Sequence, residues 1–264
     1  TALTYNVGAA IDFPRFRATV DYWNFDFKDA LTSEATTDLL NVMFPGGSAT
    51  GNCGQAAYAA VEARFDFFGP CGRANILSYR TQYINGGQVK TSGIDFQANF
   101  DVAEILGGDL TAGFDGTYLL KYDEDPYLIE GFPSNSAGTQ KRAGTYRASL
   151  FTGYNRLRAN AFMNWSSGIH NVRWQVRHAS STTQVETNSI ALAAALHTSI
   201  KIEEYWQHDL TYRVELPWDT TATLTVQNVF DKDPPFAIGT QYSYDPGSGN
   251  PLGRVYSMSV KKRF

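Results

Sequence analysis

Two cysteines are the residues of this chain best able to form a covalent link. Cys53 and Cys71 are its only cysteines, and they flank segment 54–64, whose Ala-rich composition favours a short helix. In an oxidising exterior such a pair forms a disulfide. The alternative is a pair of metal ligands, but no histidine is adjacent to support it. We therefore expect a disulfide, which stabilises a loop of this size by about 3 kcal/mol in the chain-entropy model.

The other residues that could do chemistry form no recognisable catalytic or metal-binding pattern. Asp123, Glu124 and Asp125 could hold Ca²⁺ or bridge through it to lipopolysaccharide, although a solvated acidic loop explains them as well. No Ser–His–Asp or paired-carboxylate arrangement has supporting surroundings. We predict that the chain is not an enzyme and needs no cofactor or metal. The histidines, which share no ligand spacing, are His170, His178, His197 and His208.

The composition favours strands over helices. Aromatic residues make up 14% of the chain and there are 23 glycines, a pattern typical of all-β proteins. No run of about 18 apolar residues exists, which excludes a transmembrane helix. The net charge of -4 includes no basic patch, so we expect no nucleic-acid partner. The mean hydropathy of -0.30 is compatible with a membrane barrel, because lipid-facing and lumen-facing residues cancel in the average.

Apolar and polar residues alternate with a period of two along most of the chain, as they do in strands with one apolar face. In segment 254–264, for example, Tyr256, Met258, Val260 and Phe264 share one face. Outer-membrane barrels often end on such a strand with a terminal aromatic residue in the interfacial girdle. The predicted strands are 3–12, 16–28, 76–102, 110–122, 145–154, 157–165, 205–216, 221–230 and 254–264.

A membrane barrel explains these strands better than a two-sheet sandwich with polar residues facing solvent. Most of the segments exceed the roughly 5–6 residues of an average strand and suit a tilted membrane crossing. Tyr and Trp residues also lie near strand ends, as in an aromatic girdle. These girdle residues are Tyr122, Tyr154, Trp165, Trp206 and Trp218.

The connections between the predicted strands alternate between short and long, which is typical of periplasmic turns and outer loops. The short ones are 13–15, 103–109, 155–156 and 217–219. The long ones are 29–75, 123–144, 166–204 and 231–252. An antiparallel sheet of nine strands cannot close on itself, because closure needs an even number. We therefore expect segments 3–12 and 254–264 to pair with further strands from another segment or chain.

Three segments together resemble the C-terminal barrel portion of TonB-dependent outer-membrane receptors. Segment 85–95, NGGQVKTSGID, resembles the family's Asn…Gly-(Val/Ile)-Glu signature, with Asp95 where Glu is usual. Segment 228–235, NVFDKDPP, resembles its Asn-Leu-Phe-Asp-Lys signature. Segment 254–264 resembles its terminal assembly signal, with Lys262 where an apolar residue is usual. The resemblance covers essentially the whole chain.

The resemblance implies that residues 1–264 are the C-terminal part of an all-β, antiparallel transmembrane β-barrel. About nine strands here would belong to a barrel of about 22 strands, with the plug domain outside this chain. The implied function is active, TonB-energised uptake of a siderophore, corrinoid or carbohydrate across the bacterial outer membrane. The implied partners are the remaining strands and plug of the same receptor, the TonB complex, and outer-membrane lipid and lipopolysaccharide.

Two other functions remain open, namely a passive diffusion porin and an outer-surface assembly or adhesion module. A plug-encoding segment upstream would distinguish active transport from a porin. If the chain is a receptor, aromatic and arginine side chains in its outer loops could stack on a sugar or contact an anionic chelate, although solvated loop residues explain them equally well. The candidate substrate-binding residues are Tyr127, Phe132, Arg173, Trp174, Arg177, Tyr242 and Tyr244.

Overall fold

The computed structural model describes residues 1–135, 138–150 and 152–263, so the predicted terminal Phe264 lies outside the described residues. Nine strands form one sheet in the order of the sequence, and a short strand, Gln140–Lys141, pairs with the fourth. The neighbours from the fourth to the ninth strand are antiparallel. The nine strands are β1 (Ala2–Phe13), β2 (Phe16–Phe27), β3 (Val89–Ile105), β4 (Gly108–Glu124), β5 (Leu157–Ser167), β6 (His170–Ala179), β7 (Tyr205–Leu216), β8 (Thr220–Gln227) and β9 (Val255–Lys262).

The chain divides into two compact units. The first, here called the loop unit, consists of Thr1–Tyr5, Asn24–Thr91 and Tyr122–Lys141. The second, here called the strand unit, consists of Asn6–Trp23, Ser92–Lys121 and Arg142–Phe264. Strands β1 to β4 contribute residues to both units, whereas β5 to β9 belong to the strand unit alone.

In the strand unit, the pairing register keeps apolar side chains on one face of the sheet. Leu224 of β8 pairs with Tyr212 of β7 and with Met258 of β9. The next residue, Thr225, pairs with Ser257 on the opposite face. Leu224 is 46% exposed and Met258 74% exposed, so this apolar row is not covered by other parts of the described chain. The predicted alternation in these strands is confirmed, and an exposed apolar face of this kind suits a lipid environment.

The predicted strand at 145–154 is wrong. Of its described residues, Thr145–Arg147 and Thr152–Gly153 are short strands of a separate four-stranded sheet, and Ala148–Leu150 is a 3₁₀ helix. Tyr146 is completely buried, in a cluster with Ala148, Ile202 and Ala237, so its apolar surface packs inside a connection. Alternating apolar residues can therefore face a local core as well as lipid.

The strand missing from the prediction is β6, which lies inside the predicted long connection 166–204. It pairs with β5 across a tight turn at 168–169, where Gly168 adopts a left-handed conformation with φ of 53°. Only three of its residues, Val172, Trp174 and Val176, provide a short apolar row, which explains why the pattern was weak. The sheet still has nine strands, but the short turn lies at 168–169 and not at 155–156.

The long connections contain the remaining regular structure. The loop unit has helices α1 (Thr36–Met43) and α2 (Ala59–Glu62), the latter within the segment where a helix is predicted. The strand unit has α3 (Thr187–Ala195). None of the helices in the described ranges is long and apolar enough to cross a membrane.

The 3₁₀ helices of the loop unit are Pro45–Gly47, Ala56–Tyr58 and Arg73–Asn75. The remaining short strands are Leu31–Ser33 with Tyr83–Asn85, Phe65–Phe67 with Ile76–Tyr79, Leu128–Ile129 with Phe132–Pro133, and Thr182–Gln184 with Lys201–Ile202.

The loop unit has its own hydrophobic core. Leu39 and Met43 lie four residues apart on one face of α1, and both are completely buried. The other core residues come from three further segments, so the core joins the two long connections β2–β3 and β4–β5. They are Phe44, Val61, Phe65 and Ile129.

Candidate functional site

A disulfide closes the longest connection of the loop unit, as the sequence predicts. Cys53 and Cys71 are bonded, with their Cα atoms 5.7 Å apart. Both cysteines pack against the hydrophobic core of the unit. The bond therefore fixes the helical segment between them to the rest of the core, and this connection is an ordered structure.

A buried ion pair joins distant segments of the loop unit. The guanidinium group of Arg64 donates hydrogen bonds to both carboxylate oxygens of Glu34, and each residue is only 5% exposed. The carboxylate of Glu34 also accepts a hydrogen bond from the backbone N–H of Gln82 at 3.0 Å. A second carboxylate, that of Glu130, lies 3.5 Å from Arg64. The contact of Arg64 with Glu130 thereby links the β2–β3 connection to the β4–β5 connection.

The same contacts determine the protonation of these groups. The hydrogen bond from Arg64 holds the pKa of the Glu34 carboxyl below its usual value, against the opposing effect of burial. The hydrogen bond to Glu34 in turn raises the pKa of the Arg64 guanidinium. Glu34 is therefore ionised at neutral pH, and this part of the loop unit depends on its charge.

Tyr127, a predicted substrate-binding residue, caps helix α1. Its hydroxyl oxygen accepts a hydrogen bond from the backbone N–H of Ala35 at 2.9 Å and donates one to Asp38 Oδ2 at 2.8 Å. This pair of hydrogen bonds resembles a capping box in which a tyrosine hydroxyl bridges the acidic residue and the backbone N–H at the start of the helix. Burial raises the pKa of the Tyr127 phenol well above its usual value. The hydroxyl thus positions α1 and Asp38.

A cleft of about 450 Å³ lies within the loop unit, between α1 and the segment 132–135. The rings of Tyr58 and Phe132 stack at its wall, with centroids 4.2 Å apart and planes 10° from parallel. The cleft is therefore formed by residues that are far apart in sequence and are brought together by the core. Its lining residues are Asp38, Asn41, Val42, Pro45, Gly46, Asn52, Tyr58, Phe132, Pro133, Ser134 and Asn135.

A larger concavity of about 680 Å³ lies over the polar face of the sheet in the strand unit. Carboxylates, amides and hydroxyls of neighbouring strands bond to one another across it. Asn160 donates to Asp115 at 2.9 Å, and Thr117 donates to Asp95 at 2.6 Å. The guanidinium of Arg177 lies 2.6 Å from a carboxylate oxygen of Asp209. These contacts link polar side chains of neighbouring strands across this face.

The segment 228–235 anchors the connection between β8 and β9. Asn228 is 2% exposed, and its side chain bonds both the N–H and the C=O of Lys232. Its own N–H donates to Asp209 of β7 at 2.9 Å. Asp231 accepts a hydrogen bond from the N–H of Arg254 at 2.7 Å, which joins the two ends of the connection. The residues that carry the family resemblance here have a structural role.

The segment 85–95 shows close backbone packing at its glycines. A Cβ atom on Gly87 would overlap the backbone carbonyl of Asp125, and one on Gly93 would overlap the ring of Trp23. Only glycine fits these positions without rearrangement. Asp95, the residue that departs from the family's glutamate, faces the polar concavity.

The predicted substrate-binding residues belong to different units and elements. Tyr127 and Phe132 belong to the loop unit, and Tyr242 and Tyr244 lie in the β8–β9 connection of the strand unit, with ring centroids 6.1 Å apart. The placement of the other three in an outer loop is wrong, because they lie in the sheet strand β6. These three are Arg173, Trp174 and Arg177.

The contacts of these three residues are those of strand side chains. Arg173 lies over the ring of Phe162 at 4.0 Å, and Trp174 donates to His208 Nδ1 at 3.2 Å.

Sequence reasoning in turn missed Asp38, Asn41 and Tyr58, which line the cleft. Tyr58 is the one aromatic residue of the Ala-rich segment 54–64, and that was the available signal. Within the described ranges, no group of three or more His, Cys, Asp or Glu residues could hold a metal ion.

Comparison with known families identifies the type of barrel. A family model described as "TonB dependent receptor-like, beta-barrel" matches residues 1–229. Because this match covers most of the chain, the chain belongs to that family, as the sequence motifs predict. Its strands are part of an antiparallel transmembrane barrel of the bacterial outer membrane. Among curated proteins, none matches the chain.

Solved structures with a similar fold include a ferric enterobactin receptor, an iron transporter and a further outer-membrane transporter. A variant of the ferric enterobactin receptor PfeA of Pseudomonas aeruginosa, in complex with enterobactin, is 14% identical, with a TM-score of 0.59 over 98% of this chain and 31% of that one. The FrpB iron transporter of Neisseria meningitidis is 14% identical, with a TM-score of 0.57 over 100% and 30%. The outer membrane transporter YddB of Escherichia coli is 13% identical, with a TM-score of 0.60 over 100% and 32%. This chain thus spans less than a third of each, and at these identities the likeness shows the fold alone.

Proposed function

We propose that this chain, as a member of the TonB-dependent receptor barrel family, supplies barrel wall and outer binding loops to a receptor that actively takes up a scarce nutrient. The observation that carries the proposal is the loop unit. Two connections of a membrane sheet fold around a core, a disulfide and a buried ion pair, and they enclose a cleft. Such an ordered structure suits the capture of a ligand by non-covalent contacts.

In this proposal residues 1–264 form the C-terminal part of the barrel domain, and the rest of the receptor supplies the other strands and the plug. Strands β1 and β9 are the two ends of the described sheet. Unpaired backbone groups of an edge strand in hydrocarbon cost several kcal/mol each, so both strands need partners. The polar concavity over Asp95, Asp115 and Asn160 supports a hydrated lumen that faces the plug.

The energy would come from the TonB complex through the plug, and the exposed apolar face would contact outer-membrane lipid and lipopolysaccharide. The nutrient would be a siderophore, a corrinoid or a carbohydrate. Contacts are expected from the cleft, including Phe132, and from Tyr242 and Tyr244 in the β8–β9 connection. Tyr127 would act by positioning Asp38.

Nutrient uptake by cells that carry the complete receptor tests the proposal. We expect growth on the limiting nutrient to require both the receptor gene and an intact TonB gene. Complementation with the intact receptor should restore growth, and complementation in a strain without TonB should not. Uptake that continues at the same rate without TonB would indicate a passive pore and would overturn the proposal.

A further inference from the structure

We infer that the cleft of the loop unit binds an uncharged saccharide. The inference rests on the proposed function, because it names the chemical class of the nutrient that the receptor takes up. The volume of the cleft, about 450 Å³, lies within the range of roughly 300–1,000 Å³ that small-molecule sites have. Four properties of the cleft favour such a ligand, namely its charge, its aromatic surface, its free hydrogen-bonding groups and its rigidity.

The charge of the cleft disfavours an anionic ligand. Among the residues that line it, Asp38 is the one charged residue, and it is acidic. An anionic iron chelate would meet no arginine or lysine there, although such ligands are recognised best by charge-assisted bonds to basic side chains. A metal cation is also a poor match, because a single monodentate carboxylate provides too few ligands. An uncharged ligand meets neither difficulty.

The walls of the cleft combine apolar and polar side chains. Tyr58 and Phe132 are both half-buried, so each stacked ring keeps part of its apolar surface accessible. Val42, Pro45 and Pro133 extend this surface. A sugar ring has C–H groups on its faces and hydroxyl groups around its edge, and so it needs both kinds of surface at once.

Two polar side chains at the cleft are available to hydroxyl groups. Asp38 uses Oδ2 to accept the hydrogen bond from Tyr127, which leaves Oδ1 as an acceptor. Asn41 is exposed, and its amide, which can both donate and accept, makes no side-chain hydrogen bond within the described part of the chain. Asn52, in contrast, is occupied, because it donates to the carbonyl of Val42 at 2.8 Å.

The cleft is also held in place before any ligand binds. Asp38 is fixed by Tyr127, and the segment that bears Tyr58 is tied down by the disulfide and by the buried side chain of Val61. A preorganised site loses less conformational entropy on binding, so modest contacts suffice for a useful affinity. This rigidity suits a saccharide, which has many weak contacts and no strong anchor.

Binding of the complete receptor, in detergent micelles, to an array of neutral glycans of the common hexoses and pentoses tests the inference. We expect binding to a subset of the array. Asn41→Trp, which fills the cleft from an exposed position, should weaken it at least about tenfold. Tyr58→Ala should weaken glycan binding by a similar factor. This factor corresponds to the loss of about 50 Å² of apolar contact with the ligand, at about 25 cal/mol per Å². Phe68→Ala is the matched control, since Phe68 is 69% exposed and lies outside the cleft.

Two outcomes would overturn the inference, and both leave the proposed function testable by itself. One is that no neutral glycan binds, while cells still show TonB-dependent uptake of a ferric triscatecholate through this receptor. The other is that Asn41→Trp and Phe68→Ala bind glycans equally well. Because Asn41 is exposed, its replacement leaves the core intact, and unchanged heat-modifiability of the receptor on gels confirms that it folds. Loss of all TonB-dependent uptake would instead contradict the proposed function.

Discussion

The strand unit and the loop unit use apolar residues in opposite ways. In the strand unit, large apolar side chains such as Leu224, Met258 and Trp174 are exposed in rows on one face of the sheet. In the loop unit, Leu39 and Met43 are completely buried in a compact core. A sheet can leave a whole apolar face uncovered only where lipid replaces water, whereas a folded connection in water needs a buried apolar core. The difference shows which part of the chain faces which solvent.

The largest effect is expected from breaking the buried ion pair of the loop unit. Arg64→Met leaves the Glu34 carboxylate buried without its cationic partner, which typically costs about 3–5 kcal/mol. The free energy of opening of segment 29–75, measured by pulse proteolysis, should fall by that amount. Arg80→Met is the matched control, because the Arg80–Asp66 pair is exposed and such pairs contribute about 0–1 kcal/mol. Equal losses of opening free energy in both variants would show that the buried ion pair contributes no more than the exposed one.

The exposed row of the strand unit provides the second test. Leu224→Arg places a charge on the apolar face and should destabilise the folded receptor by about 2–4 kcal/mol near the bilayer midplane. Thr225→Arg places the same charge on the polar face, beside Thr211 and Ser257, and should be tolerated. Equilibrium folding into lipid vesicles measures both. If both variants lose the same stability, the assigned faces are incorrect.

Removal of the disulfide should have a comparable or smaller effect, confined to the loop unit. Replacing Cys53 and Cys71 by serine should cost about 3 kcal/mol, because the unfolded connection regains its entropy. Thermal unfolding with and without reductant, together with intact mass, measures the change. Two free thiols in the native protein, or a loss of stability in β7 and β8, would contradict the expectation.

The smallest effect concerns pH. The folded-state pKa of Glu34 lies below its ordinary value of 4.5, so its ionisation stabilises the loop unit at neutral pH. This stabilisation is complete above the ordinary value and is lost as the pH falls through the folded-state pKa. Protease resistance of segment 29–75 should therefore decrease on acidification below about pH 4.5. In Glu34→Gln this particular dependence should be absent, and an identical pH profile in that variant would exclude Glu34 as its cause.

Most of the strand unit was predictable from the sequence, because a period of two is a local signal. Eight of the nine sheet strands overlap predicted segments, but the prediction for 76–102 is wrong over 76–88, because β3 begins only at Val89. Ile76–Tyr79 and Tyr83–Asn85 instead pair locally, with Phe65–Phe67 and Leu31–Ser33. The error at 145–154 arises because Tyr146 alternates like a residue of a membrane strand but packs in a local core. The cleft was not predictable. Tyr127 and Asp38 are 89 residues apart, and no local pattern indicates that a tyrosine in one connection caps a helix in another. The disulfide was predictable because the chain has only two cysteines.

The comparison between the units is tested most directly by hydrogen exchange of the complete receptor and of its Arg64→Met variant. If segments from both connections form one cooperative unit, the amides of α1 and of 128–133 will lose protection together in the variant. The amides of β7 and β8, which have no part in that core, will keep their protection. Continued protection of 128–133 while α1 opens, or an equal loss of protection in β7 and β8, would show that the two connections do not form one separate cooperative unit.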